Sequence, residues 1–173
     1  MRKILAQGGF SESSGFAFLL LTPAARLARP RMLTFPAMPG TIRTIYLCGP
    51  IMDAEPAAAQ DWRTRAKERL AGRFILLDPL RRNFRDREID SANEIVEFDL
   101  QDVRDADLLL VNYCKPSLGT AMEVFYASHD LGKFVIAFSP FGYADCSPWM
   151  VRFCTKILPD LEGALTYIER HFP

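Results

Sequence analysis

The chain has 173 residues, nearly half of them hydrophobic, and a formal charge of zero. That length suits one domain with a real core, and the apolar content argues against disorder except locally. With no long basic run there is no electrostatic footprint for duplex nucleic acid, though a small nucleotide stays open, and no apolar stretch approaches the ~20 residues of a membrane span.

Residues 1–40 carry Arg2, Lys3, Arg26, Arg29 and Arg31 but a single acid, Glu12. Their short apolar centre, Phe16 to Leu21, could belong to a degenerate targeting segment. Its shortness and the breaks at Pro30, Pro36 and Pro39 favour a poorly ordered extension instead, with Met32 and Met38 as alternative starts.

The globular pattern occupies residues 41–173. Ile42–Cys48 reads as a strand ending in the turn residues Gly49-Pro50. A helix follows from about Pro56 to Leu70, then a second strand, Phe74–Leu77, stopped by Asp78-Pro79. Residues 80–90 are charged and read as an exposed loop. Ser91 to Ala106 is a second helix and Asp107–Tyr113 a third strand. A third helix spans Gly119–Leu131, closed by Gly132. Phe134–Phe138 is the fourth strand. A Pro/Gly-rich loop, a helical turn near Trp149, a strand at Thr155–Leu158 and a helix from about Asp160 to His171 complete the chain. Strands that alternate with helices and are apolar throughout predict a parallel sheet covered on both faces. Right-handed crossovers then favour a single five-stranded, doubly wound α/β domain, flavodoxin-like or Rossmann-like.

Such a sheet binds ligands outside the carboxyl ends of its strands, near helix N-termini. Residues 117–127 fall there, after the apolar run Leu108–Val111, and place Glu123 in the first turn of the third helix. Thr120-x-x-Glu123 also fits a capping box, in which the Glu only bonds back to the start of its helix. Ser117 is an ordinary turn residue, or part of an anion nest with the N–H groups of Gly119 and Thr120. In the second helix, Ile95/Val96, Leu100 and Val103 form an apolar stripe, and Asp99 lies inside it. An inward carboxylate must be paired, hydrogen-bonded or in a wet cleft; Asp99 is either a satisfied structural acid or a site acid with a raised pKa.

Tyr46 sits at the carboxyl end of the first strand, beside Gly49. It either packs or offers its hydroxyl to a carboxylate, while Gly49 allows close approach of a ligand. Asp78, Arg81 and Arg82 read as a solvated loop before a phosphate or sugar site. Trp149 and Met150 suit a subunit contact and a buried local cluster equally. His129 reads as surface. Cys48, Cys114, Cys146 and Cys154 form no C-x-x-C pair, and the two histidines lie far apart. No zinc site is expected, and four reduced thiols point to a cytoplasmic protein.

Three segments, in order, carry a resemblance. Ile45-Tyr46-Leu47-Cys48-Gly49-Pro50-Ile51 resembles the opening strand and loop of the nucleoside 2-deoxyribosyltransferase family. Phe98-Asp99-Leu100 through Asp105-Ala106-Asp107 is similar to its acid-bearing helix. Ser117-Leu118-Gly119-Thr120-Ala121-Met122-Glu123, with Tyr126-Ala127 and Gly132-Lys133, resembles its Gly-Thr-x-x-Glu helix. The resemblance covers about residues 42–160.

The resemblance implies that Glu123 is a nucleophile toward C1′ of a 2′-deoxynucleoside, giving a covalent deoxyribosyl-enzyme. Tyr46 would hold that carboxylate, and Asp99 would contact the base and help protonate it. Gly49, Pro50, Ile51, Ser117, Gly119, Thr120 and Ser147 would line the substrate. The partners implied are a nucleoside or nucleotide and a free nucleobase. A neighbouring copy would complete the sugar end of the site through Ser147-Pro148-Trp149-Met150, so a homodimer or higher homo-oligomer is expected, with no metal or other cofactor.

Ser117 stands where transferases often carry Asp, and Pro116-Ser117-Leu118-Gly119 instead resembles the related 2′-deoxynucleoside 5′-monophosphate N-hydrolases. The loop Pro50-Ile51-Met52-Asp53 lacks the Ser and Arg of those hydrolases, and Asp53 would repel a phosphate. Phe125 replaces a usual Gly. The transferase reading is therefore placed first, the monophosphate hydrolase second, and a non-catalytic nucleotide-binding module on the same fold third.

Overall fold

The structure is a computed structural model, and it describes residues 43–52 and 54–172. The extension expected over 1–40, with Met32 and Met38, and the loop residue Asp53 lie outside the described residues.

Five strands and five helices alternate: β1 (Arg43–Cys48), α1 (Pro56–Leu70), β2 (Phe74–Leu77), α2 (Ala92–Asp105), β3 (Leu108–Asn112), α3 (Leu118–Phe125), β4 (Phe134–Phe138), α4 (Pro148–Phe153), β5 (Lys156–Leu158) and α5 (Leu161–His171). A single 3-10 turn, Pro79–Arg81, follows β2. The strands form one sheet in the order β2-β1-β3-β4-β5, and every pairing is parallel. This is the flavodoxin-like doubly wound architecture. β1 lies between β2 and β3, with Tyr46 in register with Leu77 on one side and Leu109 on the other.

The two-residue period of a strand sorts the core into two layers. Ile45 and Leu47 pack with Trp62, Leu110, Ile136 and Leu165, on the side of α1 and α5. Tyr46 and Cys48 pack with Val103, Leu109, Val111, Val124 and Val135, on the side of α2 and α3. β3 and β4 are buried at every position, as continuous apolar runs in a parallel sheet require. The alternation in β1 therefore aims Tyr46 and Cys48 at the helix that carries Glu123.

Two helices differ from the sequence pattern. In α2 the stripe is rotated: Asp102 and Val103 are buried, whereas Val96 is 53% exposed and Phe98 is also exposed. The cause is charge pairing. Arg81 and Arg82 both donate to Asp102, so a carboxylate takes a buried position that an unpaired one could not. Residues 80–90 are thus anchored at Arg81 and Arg82 rather than being a wholly solvated loop.

In α3 the helix begins one residue early, at Leu118. Ser117 is its N-cap, and the Ser117 hydroxyl accepts from the Thr120 N–H. No acid stands in the first turn of the helix. Glu123 falls in the second turn, and the capping box between Thr120 and Glu123 does not form. After Phe125 the backbone widens into one π turn, Tyr126–Asp130, a feature common near functional sites. Gly132 then takes a positive φ of 63°, where a side chain would be strained.

Candidate active site

The carboxyl end of β1 and the second turn of α3 meet around one carboxylate. The Tyr46 hydroxyl donates to Glu123 Oε1 at 2.9 Å. The Cys48 thiol donates to Glu123 Oε2 at 2.8 Å and also lies 3.9 Å from the Thr120 carbonyl. Tyr46 and Cys48 are almost wholly buried. Counted over the whole residue, Glu123 keeps partial solvent contact, but its carboxyl group is crowded by protein atoms. That burial pushes its pKa up to about 7, against the hydrogen bonds from Cys48 and Tyr46 and the charge of Arg63, and with the help of the Asp99 charge. Burial and the Glu123 charge raise the pKa of both Tyr46 and Cys48. Both therefore stay neutral and keep their protons to donate.

Asp99, on α2, is the second acid. Burial pushes its pKa up to about 6; Arg82 and Arg81 oppose this, Asp102 reinforces it, and the neighbouring Tyr46 hydroxyl favours the charged form. Arg82 lies 3.7 Å from Asp99 and 2.9 Å from Asp102, with its guanidinium 4.5 Å from the Phe98 ring centre. An Arg shared between two carboxylates holds one in place while leaving the other titratable near neutral pH.

The other residues singled out from sequence distribute as follows. Gly49 follows β1, and its carbonyl accepts from Arg63, a fully buried arginine of α1 that also pairs with Asp78 at 3.5 Å. A Cβ at Gly49 would lie 3.1 Å from both Asn112 Cβ and Trp62 Cζ2, so a side chain here would crowd the packing of β1 against α1 and β3. Pro50 is buried and Ile51 half-buried. Ser117 and Gly119 lie at the start of α3; Gly119 is exposed with open space around it, and Thr120 is buried. Ser147 caps α4, accepting from the Trp149 N–H at 3.3 Å. Met150 is buried and Trp149 is 64% exposed. Trp149 and Phe153 surround Phe125 edge-on, and His129 stacks on it at 4.7 Å. Phe125 therefore ties α3 to α4.

Sequence reasoning did not single out Cys48, Asp102 or Arg63. Cys48 had a signal: it lies two residues beyond Tyr46, on the same face of the strand. Asp102 and Arg63 had none, because helical spacing alone does not reveal which charged residue finds a buried partner. Among the described residues no cluster of three or more His, Cys, Asp or Glu could hold a metal ion. No helix among them is long and apolar enough to cross a membrane.

Chemically, a carboxylate whose two oxygens accept from fixed neutral donors is oriented to attack an electrophilic carbon. A neighbouring acid titrating near neutral pH can supply or take up a proton. The fold and this pair define a doubly wound α/β protein with two acids of raised pKa at the ligand-binding edge of its sheet.

The family model for nucleoside 2-deoxyribosyltransferase matches residues 45–145, more than half of the chain, and the chain belongs to that family. No curated protein matches it significantly. Among solved structures, a 2-deoxyribosyltransferase from Bacillus psychrosaccharolyticus superposes with a TM-score of 0.60 at 20% identity, covering 75% of this chain and 96% of that one. A conserved protein from Enterococcus faecalis V583 gives 0.58 at 17% identity, over 75% and 99%. A CMP N-glycosidase from Clostridium botulinum, BcmB, gives 0.51 at 15% identity, over 74% and 98%. At these identities the structural matches establish the shared fold.

Proposed function

We infer that the protein is an enzyme that cleaves the N-glycosidic bond of 2′-deoxynucleosides and transfers the sugar to another base or to water. One observation carries this reading: Glu123 is held through both oxygens, beside a second acid, at the ligand edge of the sheet. Membership of the nucleoside 2-deoxyribosyltransferase family supports it.

In this mechanism Glu123 attacks C1′ as the carboxylate. A bond forms from a Glu123 oxygen to C1′ while the C1′–N bond breaks and its electron pair passes to the base. Asp99, protonated at this stage, gives its proton to the departing base. The covalent deoxyribosyl ester is then resolved by the nitrogen of a second base, or by water, which attacks C1′ and expels the Glu123 carboxylate. Asp99 takes up the proton that the incoming nucleophile sheds. Two displacements at one carbon retain its configuration. Tyr46 orients the nucleophile. Gly49, Pro50, Ile51, Ser117, Gly119 and Thr120 would line the nucleoside, and Ser147 of a neighbouring copy would close the sugar end in a homo-oligomer.

The test is a chromatographic time course with each deoxynucleoside and its 5′-monophosphate, with and without a second free base. A new nucleoside establishes transfer. Free base released from monophosphates alone makes the enzyme a monophosphate hydrolase and assigns Ser117 to the phosphate. Intact ligand throughout, with tight binding, turns the reading to a nucleotide-binding module.

A further inference from the structure

We propose that Cys48 is a positioning residue for Glu123: its thiol holds Oε2 while Tyr46 holds Oε1, so that a single strand fixes both carboxylate oxygens. This deepens the catalytic reading above and rests on it. The geometry is direct. The Sγ–Oε2 separation is 2.8 Å, Cys48 is fully buried, and it is the last residue of β1, anchored by its register with Val111 in the middle of the sheet. Tyr46 is two residues earlier on the same face, so the two donors are spaced by the pleat of the strand. A single donor would leave the carboxylate free to swing about the bond it makes. Two donors from one rigid element fix the plane of the carboxyl group and leave lone pairs for attack.

The surroundings favour this role over ordinary packing. A thiol buried among apolar groups has no need of a partner, whereas a buried carboxylate does. The groups that face Glu123 are Tyr46 and Cys48 from β1, Asp99 from α2 and Arg63 from α1. Of these, Asp99 makes ionisation harder and the other three make it easier. Cys48 itself cannot compete as an anion, because burial and the Glu123 charge hold it neutral. Nearby Cys154 is likewise neutral, its pKa pushed up to about 12 by burial.

The sign of the effect follows. Removing a donor to the charged form raises the pKa of Glu123, so less of it is ionised at neutral pH. Cys48→Ala should raise the Glu123 pKa by roughly half a unit to one unit. Turnover relative to the wild type should fall severalfold below pH 7, and the ratio should return toward one at higher pH. Cys48→Ser keeps a donor and should stay close to the wild type. A packing role predicts instead that both variants lose activity evenly across pH.

The decisive experiment titrates Glu123 itself, by carboxyl carbon NMR on glutamate-labelled protein, with the signal assigned by its loss in Glu123→Gln. The wild type, Cys48→Ala and Cys48→Ser are compared, and the pH–rate profiles are recorded in parallel. A raised Glu123 pKa in the Ala variant, restored in the Ser variant, supports the proposal. An unchanged pKa in Cys48→Ala overturns it. If the wild type turns over none of the deoxynucleosides, the catalytic reading fails while the titration still decides the contact. Should Cys48→Ala fail to fold, the infrared S–H band decides in the wild type. It should shift as pH crosses about 7 and stay fixed in Glu123→Gln; a band that ignores pH overturns the proposal.

Discussion

The Tyr46 hydroxyl donates to Glu123 Oε1 across 2.9 Å, joining residues 77 positions apart in the chain. The ring of Tyr46 is 1% exposed and belongs to the core, so its position is set by packing and its hydroxyl is delivered to the carboxylate already oriented. Tyr46→Phe separates the two roles. The ring still fills its place, but one donor to the ionised form of Glu123 is gone, so the Glu123 pKa rises above about 7. Turnover below that pH should drop roughly tenfold with little change in melting temperature. A pH–rate profile that superimposes on the wild type would show that the phenol does not tune the carboxylate.

Asp99 and Glu123 titrate close together, at about 6 and about 7, and each feels its surroundings strongly. Such neighbours release their protons in steps that belong to the pair. In the proposed mechanism the reactive form carries one proton, on Asp99, and one charge, on Glu123; because Glu123 has the higher pKa, this is the less populated of the two singly protonated arrangements. Below the pair's first step both are protonated and the nucleophile is lost; above the second both are charged and the leaving base gets no proton. The rate should therefore peak between about pH 6 and pH 7. Asp99→Asn removes the basic limb and also the negative charge that raised Glu123, so the remaining acidic limb should move down. Its cost should be greatest for bases that leave poorly, on the order of 10²-fold or more. Steady-state profiles for two nucleosides with different leaving bases check both statements.

The sheet was legible chiefly through its central strands, β3 and β4, which are five-residue, largely apolar and wholly buried runs between helices. The order of motifs singled out Tyr46 and Glu123, which the structure brings into hydrogen-bond contact; spacing alone had pointed Glu123 toward a cap. That cap went to Ser117, since its hydroxyl reaches the Thr120 N–H from one residue before the helix. Asp102 was not legible. Which face of α2 turns inward was decided by Arg81 and Arg82, some twenty residues away, and helical periodicity is blind to partners that the fold brings together. Cys48 was passed over for a different reason: a cysteine in an apolar strand is read as packing until a carboxylate appears beside it.

Asp102 is 3% exposed and carries the guanidinium groups of both Arg81 and Arg82. Asp102→Ala leaves two cations without their shared partner at the edge of the core. The expected loss is about 2–4 kcal/mol, read as a lower denaturation midpoint in urea. Activity should fall further than folding alone explains, because Arg82 is then free to pair fully with Asp99 and hold it ionised. A variant that loses stability but keeps the wild-type pH profile would limit Asp102 to a structural role.

Gly49 is a position where one methyl group matters. Its Cβ would press on Asn112 and Trp62 at 3.1 Å each, and neither neighbour can retreat easily: Trp62 is wedged edge-on against Phe138 and Asn112 is paired in register with that same phenylalanine. Gly49→Ala should cost about 1–3 kcal/mol and shift the end of β1, where Tyr46 and Cys48 hold Glu123. Thermal unfolding measures the first effect and the Glu123 titration the second. Full stability in the alanine variant would mean that the packing relaxes without moving the strand.

Glu123 itself should oppose folding. Its pKa is about 7 in the folded protein, against 4.5 for the free side chain. Below about pH 4.5 it is protonated in both states and has no effect on the balance. Between 4.5 and 7 the unfolded chain gives up the proton while the folded one keeps it, so stability falls as pH rises, and above 7 the loss is complete. The penalty is on the order of 3 kcal/mol. Glu123→Gln removes the titration while keeping one amide oxygen as an acceptor for Tyr46 or Cys48. The variant should lose at least about 10³-fold in turnover yet unfold at higher urea concentration than the wild type at pH 8. At pH 4.5 the two should be nearly alike. Paired urea titrations across that range test the point, and a gap that does not widen with pH would mean that Glu123 is not buried as a charge.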